Sequence, residues 1–256
     1  MTALPPPDPV ALAALLGAVG LIVGSFLALV SVRLPRGEGV VTGRSRCRTC
    51  SRPLRPVHLV PVLSWLLLRG RCADCGAPIS PRHPLIELAA AGLAVWAAFL
   101  APSAAVAVAG AVLAWQLLLI AVIDGEHFQL FDVLTVPLIL TGLIQGGLSG
   151  WDEAGLRLIG AGIGFAALWG IGALYARVRG RIGLGDGDPI LFAGAGAWVG
   201  PFGLPTVLLW AALAGLCLIA ARLLLRRTVR GDDRLAFGVL LAIGTWLTWL
   251  HGPLGV

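Results

Sequence analysis

Long uncharged runs, broken by short polar clusters, organise this chain. Uncharged residues fill positions 9–32, 88–123, 133–151, 158–176, 189–221 and 235 to the end. A helix that crosses a bilayer needs roughly 20 apolar residues, so four of these runs read as single spans and the two longest as two spans each. The long runs carry their own punctuation. Ala101-Pro102-Ser103 interrupts the first and Gly200-Pro201-Phe202-Gly203 the second, where proline and glycine end one helix and begin the next. The pattern predicts about eight transmembrane helices.

Composition agrees with that reading. Hydrophobic residues make up 58% of the 256 positions and charged residues 12%, and the mean hydropathy is +0.91. An ordinary soluble domain is excluded, and the fold class expected is an all-α polytopic membrane protein embedded in a lipid bilayer. All 19 basic residues are arginine. With the N-terminus outside, all but Arg157 fall at inner ends or inner loops, which the positive-inside rule requires. The net charge of +6 is therefore an orientation signal. No nucleic-acid partner is expected, because the arginines are spread over separate loops and form no continuous basic face. The run 9–32 lacks the basic front and cleavage pattern of a signal peptide and reads as a retained first span.

The longest polar segment, residues 34–84, holds Cys47-x-x-Cys50 and Cys72-x-x-Cys75. Two CxxC turns can each offer two thiolates to one tetrahedral ion, so a structural zinc-ribbon-like tetracysteine loop is expected on the cytoplasmic side. A reducing compartment argues against disulfides there. Cys217, alone in an apolar run, reads as a small buried hydrophobe. Between the CxxC pairs, residues 59–68 form an apolar stretch about half the length of a span. It is expected to lie at the membrane interface or dip in and return, as a gate for substrate or as packing for the loop.

Two aspartates stand out against this background. Asp124 closes one apolar run, and Asp188 opens another from within Gly183-Leu184-Gly185-Asp186-Gly187-Asp188. Two runs separate them, an even number of crossings, so both belong on one membrane face, the cytoplasmic one. Carboxylates placed there are costly and point to function. Aspartyl peptide hydrolysis needs such a pair from separate elements, one ionised to activate water and one protonated to donate. Asp188 before Pro189 reads as a helix N-cap, where the dipole favours a negative charge. Asp124 before Gly125 reads as a helix C-terminus, where it does not. Asp188 is thus the expected base and Asp124 the expected acid. Gly183, Gly185 and Gly187 would let an extended substrate approach closely.

Other acids have plainer readings beside these. Asp132 opens a span as a helix cap or shapes the site, Asp186 is a solvated loop charge, Glu126 and His127 tune Asp124 or simply line a polar loop, and Glu87 pairs with an arginine of the cysteine loop. The glycine stretch lacks the GxxxxGK[ST] pattern of a phosphate-binding loop. A different class of function, a proton- or ion-coupled transporter using the same aspartates, is the alternative.

The ordered set of motifs resembles the type IV prepilin leader peptidases, GxGD intramembrane aspartyl proteases. The shared residues are Gly24-Ser25-Phe26-Leu27, Arg33-Leu34-Pro35, the double CxxC loop with Pro61-Val62-Leu63-Ser64-Trp65, Ile123-Asp124, Asp132, the stretch from Gly183 to Asp188, and Phe237-Gly238. The resemblance implies catalysis by Asp124 and Asp188 in a bacterial inner membrane. It implies removal of the short basic leader from prepilins or type II secretion pseudopilins on the cytoplasmic side. It also implies N-methylation of the new terminus with S-adenosylmethionine in many members. Ala28, Phe131 and Ile190 stand where the family more often has asparagine, proline and lysine. The organisation expected is a first span in 1–33, the tetracysteine zinc loop in 34–84 and the transmembrane peptidase domain in 85–256.

Overall fold

The computed structural model describes residues 8–40, 45–181, 183–225 and 235–254. Arg44, Arg226, Arg227, Arg230 and Arg234, assigned above to inner loops, lie outside the described residues. Among the described residues there are eight α-helices: α1 Pro9–Arg33, α2 Leu63–Leu67, α3 Arg82–Leu100, α4 Ala104–His127, α5 Asp132–Ser149, α6 Trp151–Arg179, α7 Asp188–Leu224 and α8 Phe237–His251. Among the described residues the only extended pairings are two isolated bridges in the cysteine loop.

Both punctuation points break the helices as expected. α3 stops at Leu100, Ala101 turns extended at ψ 137 ahead of Pro102, and the Ser103 hydroxyl accepts the Val106 N–H at 3.3 Å to start α4, the ordinary capping chemistry of serine. Inside α7, Gly200 takes φ 72 immediately before Pro201. A left-handed residue of this kind is accessible to glycine at little cost.

Among the described residues six helices, α1 and α3 to α7, are long and apolar enough to cross a membrane. Counting α7 as two and adding the 15-residue α8 recovers eight rods. Two of the eight are short. The first half of α7, residues 188–199, rises only about 18 Å against roughly 30 Å of hydrocarbon.

The chain divides into two compact units, Met1–Leu119 and Ile120–Val256. In the first, α1 and α3 meet backbone to backbone along a stripe of small residues. A Cβ added at Gly20 would lie 2.7 Å from the Ala91 Cα, and one at Gly24 would lie 2.6 Å from the Glu87 Cα. Ala13, Leu16, Ala94, Ala98, Ala107 and Ala111 form the buried cluster beyond that crossing. Trp115 anchors α4 to α3 by donating from Nε1 to the Ala90 carbonyl at 3.0 Å. Without a hydrophobic drive between helices in lipid, such close approach and interhelical hydrogen bonding hold the spans together.

In the second unit the first half of α7 runs through the centre. Leu191, Phe192, Ala195, Ala197 and Trp198 are almost wholly buried. Helix α6 crosses it where Gly160 faces Gly196 and Gly164 faces the Phe192 carbonyl. On α5, Gly142 faces Ala197, and the Leu138 carbonyl accepts the Trp198 indole N–H at 3.0 Å. Helix α8 then fixes the path of α7. Leu240 meets Gly215, Gly244 meets Val207 and Ala211, and Thr248 meets Gly203, so the second half of α7 runs antiparallel to α8. The Leu254 N–H closes the far end on the Thr206 hydroxyl at 3.0 Å. The chain therefore reverses at Gly200, and α7 is a helical hairpin.

The glycine crossings make a direct prediction. Gly196→Ala drives a methyl into the Gly160 carbonyl and should cost about 1–3 kcal/mol by overpacking. Gly162→Ala, on the facing helix α6, meets nothing within 4 Å and should gain about 0.5–1 kcal/mol. Thermal unfolding of the purified variants in one detergent would show opposite shifts.

Candidate active site and metal centre

Asp124 sits in the last turn of α4. That helix does not stop at Gly125 but continues to His127, and Phe128 takes the left-handed position at φ 54, its N–H returning to the Asp124 carbonyl at 2.8 Å. The expected glycine C-cap is thus replaced by a strained aromatic residue. Asp188 is likewise not an N-cap. It is the first residue of α7, Gly187 precedes it as the cap, and Pro189 follows. Its carboxylate turns back on the glycine loop, where Oδ2 accepts the Gly185 N–H at 3.0 Å.

Both carboxylates are buried within the second unit. Asp124 Oδ2 accepts the Val239 N–H at 3.1 Å, in the first turn of α8. Asp188 lies within reach of the Asp124 charge. Leu130 packs beside both: a Cβ added at Gly187 would meet its Cβ at 2.5 Å, and one added at Gly238 would meet its Cδ2 at 3.1 Å. Asp188 stays in the first turn of α7, where the dipole favours a negative charge, but the start of α8 offers Asp124 the same help, so helix dipoles do not separate acid from base. Asp124 ends its own helix but faces the N-terminus of another, where backbone N–H groups of Gly238 and Val239 reach it, and Asp188 is held by the Gly185 N–H.

The glycine loop is built by close packing as well as by access. A Cβ at Gly183 would collide with the Tyr175 ring, one at Gly187 with Leu130, and one at Gly185 would lie 3.1 Å from Asp188 Oδ2. None of the three has a positive φ. Asp186 and Asp132 are exposed. Asp132 opens α5, with Phe131 as the cap residue and no capping hydrogen bond from a side chain. Glu126 and His127 are exposed and face each other at 3.9 Å. Gly238 is the residue whose role was hidden in the sequence. Its lack of a side chain admits the Asp124 carboxylate, since an added Cβ would sit 2.7 Å from Oδ2. The only signal was the Phe237-Gly238 motif itself.

In the first unit the four loop cysteines converge. Their sulfurs all lie within 4.8 Å of one another, and Cys47 and Cys75 Sγ are 3.8 Å apart. Tetrahedral ligation at a metal–sulfur distance of about 2.3 Å places sulfurs about 3.8 Å apart, so the donor set fits one ion. The two turns are built alike. In each, the residue after the second cysteine is left-handed, Ser51 at φ 57 and Gly76 at φ 70, and donates its N–H to the first cysteine's carbonyl. Each turn is closed by an isolated bridge, Arg46 with Pro53 and Arg71 with Pro78.

Backbone N–H groups of Cys50 and Thr49 pull the Cys47 thiol down to about 6. At Cys75 the Ala77 N–H acts downward too, but desolvation and the neighbouring sulfurs push it up to about 12. Cys217 is exposed on the outer surface of α7 rather than buried. Among the described residues no arginine pairs with Glu87; its Oε2 accepts the Val62 N–H at 2.7 Å.

Two family models match the chain, the bacterial peptidase A24 N-terminal domain over residues 18–101 and the type IV leader peptidase family over residues 111–220. A prepilin leader peptidase/N-methyltransferase of Aeromonas hydrophila is 36% identical over 91% of this chain and 88% of its own length. The protein of the same description from Pseudomonas aeruginosa is 34% identical over 91% and 88%. A type 4 prepilin-like proteins leader peptide-processing enzyme of Escherichia coli is 36% identical over 92% and 93%. No solved structure matches the chain.

The paired cysteine turns predict unequal responses at equivalent positions. Gly76→Ala places a Cβ at a left-handed residue and should cost about 1 kcal/mol, speeding metal loss to a chelator roughly fivefold. Ser51→Gly relieves the same strain in the other turn and should slow that loss or leave it unchanged.

Proposed function

This chain belongs to the type IV leader peptidase family, and from that premise we propose that it cleaves the short basic leader from type IV prepilins or type II secretion pseudopilins. The observation that carries the reading is the pair of buried carboxylates on Asp124 and Asp188, each tethered through Oδ2 by a backbone N–H. In this reading the other oxygen of each aspartate meets water and substrate. One member of the pair is ionised and takes a proton from water as the oxygen attacks the scissile carbonyl carbon. The other donates its proton to the carbonyl oxygen. When the tetrahedral intermediate collapses, the peptide C–N bond breaks and the leaving nitrogen takes a proton from the pair. Gly185 and the first turn of α8 keep the two carboxylates aimed throughout.

The site is assigned to the cytoplasmic face of a bacterial inner membrane, with the N-terminus outside, from the distribution of arginines. Zinc is the ion assigned to Cys47, Cys50, Cys72 and Cys75, with a structural role, because four thiolates leave no open position for substrate. The relatives' description as N-methyltransferases extends the proposal to methylation of the new terminus with S-adenosylmethionine as donor.

Asp124→Asn and Asp188→Asn should each lower leader cleavage by at least about 100-fold, since an amide holds neither the charge nor the exchangeable proton. The exposed Asp132→Asn and Asp186→Asn should keep most of the activity. Coexpressed prepilin resolved by gel and mass spectrometry measures this, and near-parental processing by Asp188→Asn overturns the two-aspartate reading. Gly238→Ala should reduce kcat about tenfold with little change in KM, because it displaces a carboxylate rather than a binding contact. Metal analysis of the purified chain should find about one zinc per chain, and none in Cys72→Ser. In the same mass spectra the processed pilin should carry the added mass of one methyl group when S-adenosylmethionine is saturating; a free amine beside complete cleavage removes the methylation step from the proposal.

A further inference from the structure

The apolar stretch between the two cysteine turns has an orientation that the sequence did not reveal. Helix α2 presents Leu63, Leu66 and Leu67 on one side, the i, i+3, i+4 spacing of a single face, and they are 59%, 56% and 83% exposed. Val57, Leu59 and Val60, just before α2 in the chain, are exposed as well. Trp65 is pinned by contrast: its Nε1 donates to the Ile79 carbonyl at 3.0 Å, and its ring packs against Gly70. The leucine face is therefore held outward by a fixed backbone.

Its depth is fixed as well. The Val62 N–H, at the entrance to α2, donates to Glu87 Oε2 at 2.7 Å. Glu87 is buried and stands in the second turn of α3, which begins at Arg82 and is apolar enough to span a membrane. α2 is thus tied level with the first turns of a span. Val62 itself adopts φ 59, an outlier for a β-branched residue that persists only where its surroundings hold it. Arg55 stands before the apolar stretch, and Arg69 and Arg71 after it, all exposed and without a carboxylate partner among the described residues. The two described acids of the cysteine loop, Glu38 and Asp74, already face Arg48 at 4.0 Å and Arg52 at 3.5 Å. Apolar residues at the level of a helix entrance, flanked by free arginines, match a bilayer surface bearing anionic headgroups.

We propose that α2 is an interfacial membrane anchor, its Leu63, Leu66 and Leu67 face seated at the headgroup–acyl boundary, with Glu87 as the tether that sets its depth and Arg55, Arg69 and Arg71 on anionic lipid phosphates. The proposal rests on the reading of α3 as a membrane span. It gives the cysteine loop a second attachment, so that the metal-bound turns are held against the bilayer surface and not free above it.

The test uses the full chain in vesicles of phosphatidylcholine and phosphatidylglycerol, with a genetically encoded fluorescent amino acid replacing Leu67, Ala73 or Ile22 in turn. Ala73 is exposed between the second pair of cysteines, and Ile22 is exposed midway along α1. Lipids carrying a nitroxide high on the acyl chain should quench the probe at position 67 at least about threefold more than at position 73. Quenching at 67 no greater than at 73, with position 22 quenched by nitroxides deep in the bilayer, overturns the anchor alone. No quenching at 22 overturns the membrane placement on which it rests. Glu87→Leu should lower quenching at 67 toward the level at 73 while position 22 is unaffected; unchanged quenching at 67 overturns the tether.

Discussion

A carboxylate inside an apolar helical unit has to be satisfied by whatever donors the fold can supply, and here the donors are backbone N–H groups. Unpaired polar groups cost several kcal/mol where water is absent. The unit meets that cost at Asp188 with Gly185 of the preceding loop and at Asp124 with Val239 of α8. Neither aspartate has a cation beside it in the ion pairs of the described residues. A salt bridge would favour the ionised carboxylate strongly, whereas backbone N–H groups aim it and leave its proton exchangeable. That difference is what acid–base work by the pair requires.

The rest of the unit follows from bringing those donors close. The first turn of α8 reaches Asp124 because Gly238 presents no side chain, and α8 is held there by its glycine contacts with the returning half of α7. α7 can return because Gly200 accepts a left-handed conformation ahead of Pro201. Its short first half packs on α5 and α6 through Gly160, Gly164 and Ala197, so the segment that begins with Asp188 is almost wholly buried. Glycine thus serves three purposes here: a turn at 200, backbone contact between helices at 160 and 196, and room for a carboxylate at 238.

Much of this was legible in the sequence, and the failures have physical causes. The breaks at Ala101-Pro102 and Gly200-Pro201 were readable because proline and glycine act locally. The convergence of four cysteines was readable because CxxC turns build the same local geometry wherever they occur. Helix ends were read less well. Asp188 followed by Pro189 suggested a cap, and Asp124 followed by Gly125 a helix end, but tertiary contacts carried one helix past Gly125 to His127 and turned the other carboxylate back on its loop. Partners supplied by backbone left no trace in residue types. Glu87 bonds an N–H 25 residues upstream, and Asp124 one 115 residues downstream; any residue but proline can offer such a donor.

The central claim is that Asp124 and Asp188 work as one coupled acid–base pair. The pH dependence of kcat/KM for leader cleavage, measured on the reconstituted enzyme with a prepilin substrate, tests it most directly. A pair that needs one proton shared between two carboxylates predicts a bell-shaped profile, with activity lost on the acid side when both are protonated and on the alkaline side when both are ionised. A profile with a single limb, or one flat across the range in which the protein stays folded, would contradict it.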